Sequence, residues 1–436
     1  MRDLKIAVIG AGSTYTPELI EGFIERREFL NVTSIYLMDI DREKMEIIGA
    51  LTERMLKIKS INCTVVMTED LDEAISGANY VLTQVRVGKL DARIRDEKIP
   101  MKYDLLGQET TGAGGLMKAL RTIPVIMNVA QKMERLAPDA WLINFANPSG
   151  IMAEAILNNT GIRMVGLCNC PTSMIRDAAG MLPAGTKRFD YDYVGLNHLS
   201  WITRIYADGK DILPDLIDKG LSVTAMKNIF GMEFPKSLLH ATKAIPSTYL
   251  NYFYFREAQI KHYKEAGKTR GEVCKEIEKE LLQMYKDINL TEKPALLEQR
   301  GGAYYSTAAV SLIDSIENDK NLMHVVNVKN NGALQFMDND DVVEVKCVVN
   351  KQGATPVKVD KFDNDFIIGM MKSVKAYERL AVKAGLYGDY NAALSSLLVH
   401  PLIGDYNKAK PLLDEMIEAN KEFLPQFFRG GLYIYG

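Results

Sequence analysis

The chain carries almost no net charge. Its 53 lysines and arginines face 56 aspartates and glutamates, which leaves −3 at pH 7. Such a balance gives no overall field to attract nucleic acid or an anionic membrane, so neither is expected as a partner. An anionic ligand would have to be held by a local cluster of donors. Long apolar runs are also missing; none approaches the ~20 residues a bilayer span needs. Cysteine is sparse and scattered, at Cys63, Cys168, Cys170, Cys274 and Cys347. An odd, dispersed set argues against a disulfide framework and for a reducing compartment. The first residues run straight into an apolar strand pattern at Leu4–Ile9, with no secretory leader pattern. The cytoplasm is therefore the expected location. Internal repeats and low-complexity linkers are absent as well.

What is present is an ordinary globular composition, 47% hydrophobic and 25% charged, spread over 436 residues. Single cores stop growing at roughly 250–300 residues, so two domains are expected. The alternation of strand and helix patterns changes near residue 170, which puts the division at 1–170 and 171–436. In the first part, strands are predicted at Leu4–Ile9, Ser34–Met38, Cys63–Met67, Tyr80–Val85, Trp141–Phe145 and Met164–Leu167, with helical stretches between most of them. That alternation defines an α/β fold with a doubly wound parallel sheet. In the second part, Phe189–Ile205 reads as strands and Ser237–Tyr285 as mostly helix. Val342–Val349 and Thr355–Val359 read as a strand pair, and the chain from Asp365 onward reads as helix.

Gly10-Ala-Gly12-Ser13-Thr14 follows a buried strand and precedes a helix beginning near Thr16-Pro17-Glu18. That context fits a dinucleotide-binding turn: Gly10 for the bend, Gly12 for close backbone approach to a pyrophosphate at the helix N-terminus. Thr16 is read as the helix cap. Asp39 ends the next strand, placed to accept from a ribose diol, which favours NAD over NADP; Arg42 nearby keeps NADP open. The third glycine position holds Tyr15 instead.

Further motifs fall where strands end. Gln108-Glu-Thr-Thr-Gly112-Ala-Gly-Gly115 is a polar glycine-rich segment, a plain loop or a phosphate cradle. Arg86, Arg93 and Arg95 suggest an anion-binding wall, or else a solvated face of ion pairs. Asn147-Pro148 follows a strand, where open α/β sheets bind ligands; it also suits a simple turn. Cys168 and His198 could share a divalent metal and leave positions open for substrate oxygens, although lone buried cysteines and histidines are usually structural. Tyr249, Tyr252 and Tyr254 crowd one short segment. Aromatic stripes are usually core, but a tyrosine beside a cation has a lowered pKa and can act as a base.

Taken in order, these motifs resemble the family 4 glycoside hydrolases, from Ile6 to about Pro401. The resemblance is carried by Arg93…Asp96-Glu97…Ile99-Pro100, Gln108-Glu-Thr, Asn144-Phe-Ala-Asn147-Pro, Gly166-Leu-Cys168-Asn, Gly195-Leu-Asn-His198, Arg300-Gly-Gly-Ala-Tyr-Tyr-Ser306, Val326-Asn-Val-Lys-Asn-Asn-Gly332 and His400-Pro-Leu. It implies a Rossmann-like sheet with an interwoven C-terminal α+β part, as in lactate and malate dehydrogenases. It also implies two cofactors, NAD and a divalent metal, usually Mn²⁺. The implied chemistry is transient oxidation of the sugar at C3, removal of the acidified C2 proton by a tyrosine, elimination at C1, addition of water and return of the hydride.

By the resemblance, Cys168 and His198 match the metal ligands. Tyr249 matches the base, with Tyr252 as the substitute. Arg93 and Asn147 match substrate-binding positions, Arg93 as the phosphate contact, and Arg270 is a further substrate contact. Glu109 matches a residue that supports the base. Where α-glycosidase members often place an acidic Asp after the metal cysteine, this chain has Asn169, as in enzymes acting on 6-phospho-β-glucosides. The expected substrate is a phosphorylated disaccharide or β-glucoside, and the expected assembly is a homo-oligomer, dimer or tetramer.

Within the family, the alternatives are 6-phospho-α-glucosidase, α-galactosidase and α-glucuronidase activities. From other classes they are a 2-hydroxyacid dehydrogenase and a non-enzymatic NAD sensor. Absorbance of the cofactor during turnover separates the classes: a glycosidase that recycles its NAD shows product without net NADH, whereas stoichiometric NADH build-up would identify a dehydrogenase.

Overall fold

In the computed structural model, residues 1–220, 229–301 and 305–428 are described. Strand β1 is Asp3–Ile9, and Ile6, Ala7 and Val8 are fully buried. It lies between two parallel neighbours, which accounts for its unbroken apolar run. Burial of each large side chain there contributes roughly 1.5–3 kcal/mol. The other parallel strands are β2 (Asn31–Met38), β3 (Thr64–Thr68), β4 (Tyr80–Thr83), β5 (Trp141–Asn144) and β6 (Arg163–Gly166). Each lies within a residue or two of its expected bounds, except that β2 starts three residues earlier. Across the sheet they run β3-β2-β1-β4-β5-β6, with helices as the crossovers. This is the order of the dinucleotide-binding fold, and its switch point falls between β1 and β4.

The second half begins with an antiparallel hairpin, β7 (Phe189–Leu196) and β8 (Leu199–Ala207). Short strands β9 (Lys210–Asp211) and β10 (Ile245–Pro246) both pair with β8. Then β11 (Leu322–Lys329), β12 (Val342–Asn350) and β13 (Gly353–Pro356) return to the first sheet. They extend its β6 edge in antiparallel fashion, making nine strands. The C-terminal part is thus interwoven with the first, as expected. Strand β11 was not expected; its exposed start and its His324, Asn327 and Lys329 obscure the apolar pattern. No helix among the described residues is long and apolar enough to cross a membrane.

Two helices frame the β1–β4 crevice. Lys89–Met101 carries Arg93 and Glu97 on its buried side; Gly112–Leu136 carries Lys118. They are tied by Asp96, whose carboxylate accepts from Arg121 Nη1 at 2.9 Å and Nη2 at 2.6 Å, with Asp96 fully buried. Asn420 Oδ1 takes a further bond from Arg121 at 2.9 Å, which fastens the C-terminal helices to the same point. Removing one partner of such a pair strands a buried charge. Asp96→Ala is therefore expected to lower stability by about 3–5 kcal/mol in urea denaturation; a loss under about 1 kcal/mol, the range of an exposed pair, would contradict this anchoring.

Candidate active site

The glycine turn opens at the carboxyl end of β1. Gly10 has φ +87°, and a Cβ there would lie 2.9 Å from Val85 N, so both the bend and the segment after β4 require glycine. The N–H groups of Gly10 and Ala11 both donate to Met38 O, at 2.9 and 3.0 Å, which seats the turn against β2. Asp39 accepts from Gly12 N at 2.7 Å and Asp41 N at 2.9 Å. Burial pushes its carboxyl up, and these N–H groups pull it back. A Cβ on Gly12 would meet the Asp39 carboxylate at 2.8 Å, so the second glycine leaves room for this aspartate.

Ser13 N closes the turn onto Gly10 O. Thr14 is fully buried, and its hydroxyl accepts from Arg300. The reading of Thr16 as a cap is corrected. It is the first helical residue of Thr16–Glu25; its hydroxyl donates to Ala11 O at 2.9 Å and accepts from Gln84 Nε2 at 2.6 Å. Tyr15 lies under the Arg300 guanidinium, 5.2 Å from ring centroid to carbon, and borders the cleft.

Farther along the same edge, Asn144 organises the loop after β5. It accepts from Thr83 Oγ1 at 2.8 Å and Ala146 N at 3.1 Å, and presents half-buried Asn147 to the cleft. The Asn147–Pro148 peptide is cis. After β6 come Cys168 and Asn169, both buried; Asn169 lines the cleft and heads helix Cys170–Gly180. His198 sits in the two-residue turn between β7 and β8, at φ +66°. That is an unusual conformation for a residue with a Cβ. The pairing of β10 with β8 brings in Tyr249, whose ring stacks on His198 at 3.8 Å between centroids.

Neither ring nitrogen of His198 makes a hydrogen bond among the described residues, and the Thr110 backbone lies close by. Burial holds the imidazole neutral, down to about 3, with a lone pair available. Burial pushes the Cys168 thiol up, and the charge of Glu344 adds to this. A neutral imidazole and a thiol that ionises only beside a cation suit a divalent metal. No group of three or more His, Cys, Asp or Glu side chains suited to a metal occurs among the described residues. Other ligands would therefore come from substrate or water.

The tyrosines separate by their partners. Tyr252 meets Tyr263, with 3.4 Å between hydroxyls, and burial pushes its phenol well up. Tyr254 accepts from Trp201 Nε1 at 3.1 Å.

The arginine wall is corrected. Arg95 turns away to Glu422 at 3.4 Å and to the ring of Phe423. Arg86 and Arg93 stay in the cleft and converge on Glu109, Arg93 at 2.8 Å; Arg93 also bonds Glu97 at 2.7 Å. Lys118, not anticipated, completes the cluster at 2.8 Å from Glu109. Against the cost of burial, these three cations hold Glu109 well below the usual carboxylate range. Burial, then the charge of Arg86, brings Lys118 down to about 7. A lysine inside the apolar stretch Leu116-Met117-Lys118-Ala119-Leu120 was the signal available in the sequence.

Arg270 begins the helix Arg270–Tyr285 and bonds Gln299 O at 2.7 Å; its buried Nε has no partner among the described residues. Gly114 and Gly115 serve packing: side chains there would collide with the Gln108 and Thr110 backbone.

The chain matches the model of the family 4 glycosyl hydrolases over residues 5–183 and that of their C-terminal domain over residues 193–403. It belongs to the family 4 glycosyl hydrolases. A Bacillus subtilis (strain 168) protein named "Probable 6-phospho-beta-glucosidase" is 43% identical over 436 residues, covering 98% of each chain. The 6-phospho-beta glucosidase of Thermotoga maritima, solved with NAD and glucose-6-phosphate, has TM-score 0.88 and 35% identity, covering 97% of this chain and 99% of its own. A second structure of it, with NAD⁺ and glucose-6-phosphate, also holds manganese. The lactate dehydrogenase of Eimeria maxima shares the fold at TM-score 0.53 and 17% identity, over 89% of this chain and 96% of its own.

The depressed Lys118 makes stability depend on pH. Between about pH 7 and about pH 10 the unfolded chain binds the proton that folded Lys118 has given up, so this residue's contribution to stability improves as pH rises. Denaturation midpoints of the wild type and Lys118→Met, compared over that window, should show the wild type gaining relative to the variant. A difference that stays constant with pH would contradict the burial-driven shift.

Proposed function

We propose that this chain hydrolyses 6-phospho-β-glucosides with NAD and a divalent cation, Mn²⁺ or another, as cofactors. One observation carries the phosphate: seven cationic side chains line the cleft against three carboxylates, in a chain whose net charge is −3. Most of these cations already face a carboxylate. Arg270 has no ion pair among the described residues and keeps its Nε unbonded, so it is assigned the phosphate together with Arg93, which Glu97 and Glu109 hold in place. The sugar then reaches inward to Asn147, Asn169 and Tyr249, which line the same cleft.

The turn Gly10–Thr14 with Asp39 is assigned to NAD, and Cys168 with His198 to the cation. When bound, NAD supplies a reversible hydride acceptor and the cation a Lewis acid for the sugar oxygens. Tyr249 takes the C2 proton, its ring held against His198. Tyr252 is less suited, since its burial and its Tyr263 contact favour the protonated phenol. Glu109 fixes Arg86, Arg93 and Lys118 around the reacting sugar and stays ionised in doing so. Asn169 has no acidic proton, so it orients substrate, and the leaving group departs without a strong acid there. Five free cysteines favour a cytoplasmic location, and we place the working form as a homo-oligomer.

The direct assay uses a nitrophenyl β-glucoside 6-phosphate. Activity should require both NAD⁺ and Mn²⁺ and exceed that on the α anomer. Arg270→Ala should lower kcat/KM roughly 10–100-fold, the loss of one charge-assisted contact. Cys168→Ser should abolish activity while NAD still binds. Turnover indifferent to both cofactors, or full activity in Cys168→Ser, would reject the reading.

A further inference from the structure

We propose that Glu344 and Asn197 are positioning residues for the Cys168–His198 pair. In this arrangement the buried Glu344 carboxyl group fixes the turn that carries His198. The inference rests on the reading of Cys168 and His198 as cation ligands.

Glu344 interrupts a run of valines in β12, where only 1% of it is exposed. A carboxylate in a central strand is costly unless its oxygens are satisfied. Three neutral donors converge on it: Tyr193 hydroxyl at 3.0 Å, Asn197 Nδ2 at 3.1 Å and Asn327 Nδ2 at 3.2 Å. They come from β7, the β7–β8 turn and β11, so the carboxylate clips the hairpin to the main sheet. It enters no ion pair among the described residues.

The polarity of Asn197 is fixed on both sides. Its Nδ2 faces Glu344, while its Oδ1 accepts from Gly150 N at 3.3 Å. The same side chain reaches the Cys168 sulfur. His198 is the next residue, held at φ +66° in a turn with no spare length. Moving Asn197 therefore moves both ligands.

Partners behind metal ligands typically change metal affinity 10–100-fold when altered.

The test is Glu344→Gln, which keeps the shape but replaces one acceptor oxygen with an amide NH₂ facing the same donors. With NAD present, Mn²⁺ affinity by calorimetry should fall roughly 10–100-fold, NAD affinity should hold, and the cobalt–thiolate absorption of the Co²⁺-loaded protein should weaken or shift. Wild-type Mn²⁺ affinity with an unchanged cobalt spectrum would overturn the proposal, as would an equal loss of NAD affinity. If Glu344→Gln does not fold, Tyr193→Phe decides: it removes one donor at nearly constant shape, and Mn²⁺ binding should weaken several-fold, whereas unchanged binding overturns the proposal. Cys168→Ser and His198→Ala serve as controls. If they leave Mn²⁺ affinity intact, the ligand assignment itself fails. If they abolish it and Glu344→Gln does not change it, only the positioning role fails.

Discussion

Every candidate group depends on one constraint: six parallel strands deliver all their carboxyl ends to the same edge. The order reverses between β1 and β4, so the loops there diverge and leave a crevice. The Gly10–Thr14 turn, Arg86, Asn147 and Cys168–Asn169 follow β1, β4, β5 and β6 in that sequence. The second half supplies what this edge lacks. The β7–β8 hairpin brings His198, β10 brings Tyr249, and the helix Arg270–Tyr285 brings Arg270. A fold shared with lactate dehydrogenase thus serves different chemistry through what is placed over one edge.

Electrostatics sharpen the division of labour within the cleft. Glu109 gathers Arg86, Arg93 and Lys118 into a preformed cluster whose charges need no rearrangement when an anion arrives. On the far side, burial keeps the Cys168 thiol protonated beside Glu344 and keeps His198 neutral. One side suits a phosphorylated sugar and the other a divalent cation. In the proposed reading, the sugar lies between them, under Tyr249.

The fold was largely legible in the sequence because parallel strands buried on both faces leave continuous apolar runs, as Lys5–Ile9 does. Gly10 was legible because a positive φ at a strand-to-helix turn nearly demands glycine. Residues whose meaning lies in their partners were not. Thr16 reads as a cap until its hydroxyl is found on Ala11 O. Arg95 reads as part of a wall until it turns to Glu422. Lys118 and Glu344 carry no local signature beyond a charge in an apolar run; their roles depend on contacts made far along the chain. Strand β11 was missed because His324, Asn327 and Lys329 interrupt its pattern, although Asn327 is what ties it to Gly166 and Glu344. For Cys168 and His198, 30 residues apart in sequence, the ends of strands offered only a weak pairing, and the ordered motifs of the family carry the metal assignment.

The central claim is that the glycosidic bond breaks by proton removal next to a temporarily oxidised carbon, and not by direct displacement at C1. Turnover in heavy water, with the sugar phosphate product examined by proton NMR, tests this most directly. Deuterium at C2 of the product, at a level matching turnover, is the predicted result. Full hydrolysis with the original proton retained at C2 would contradict it.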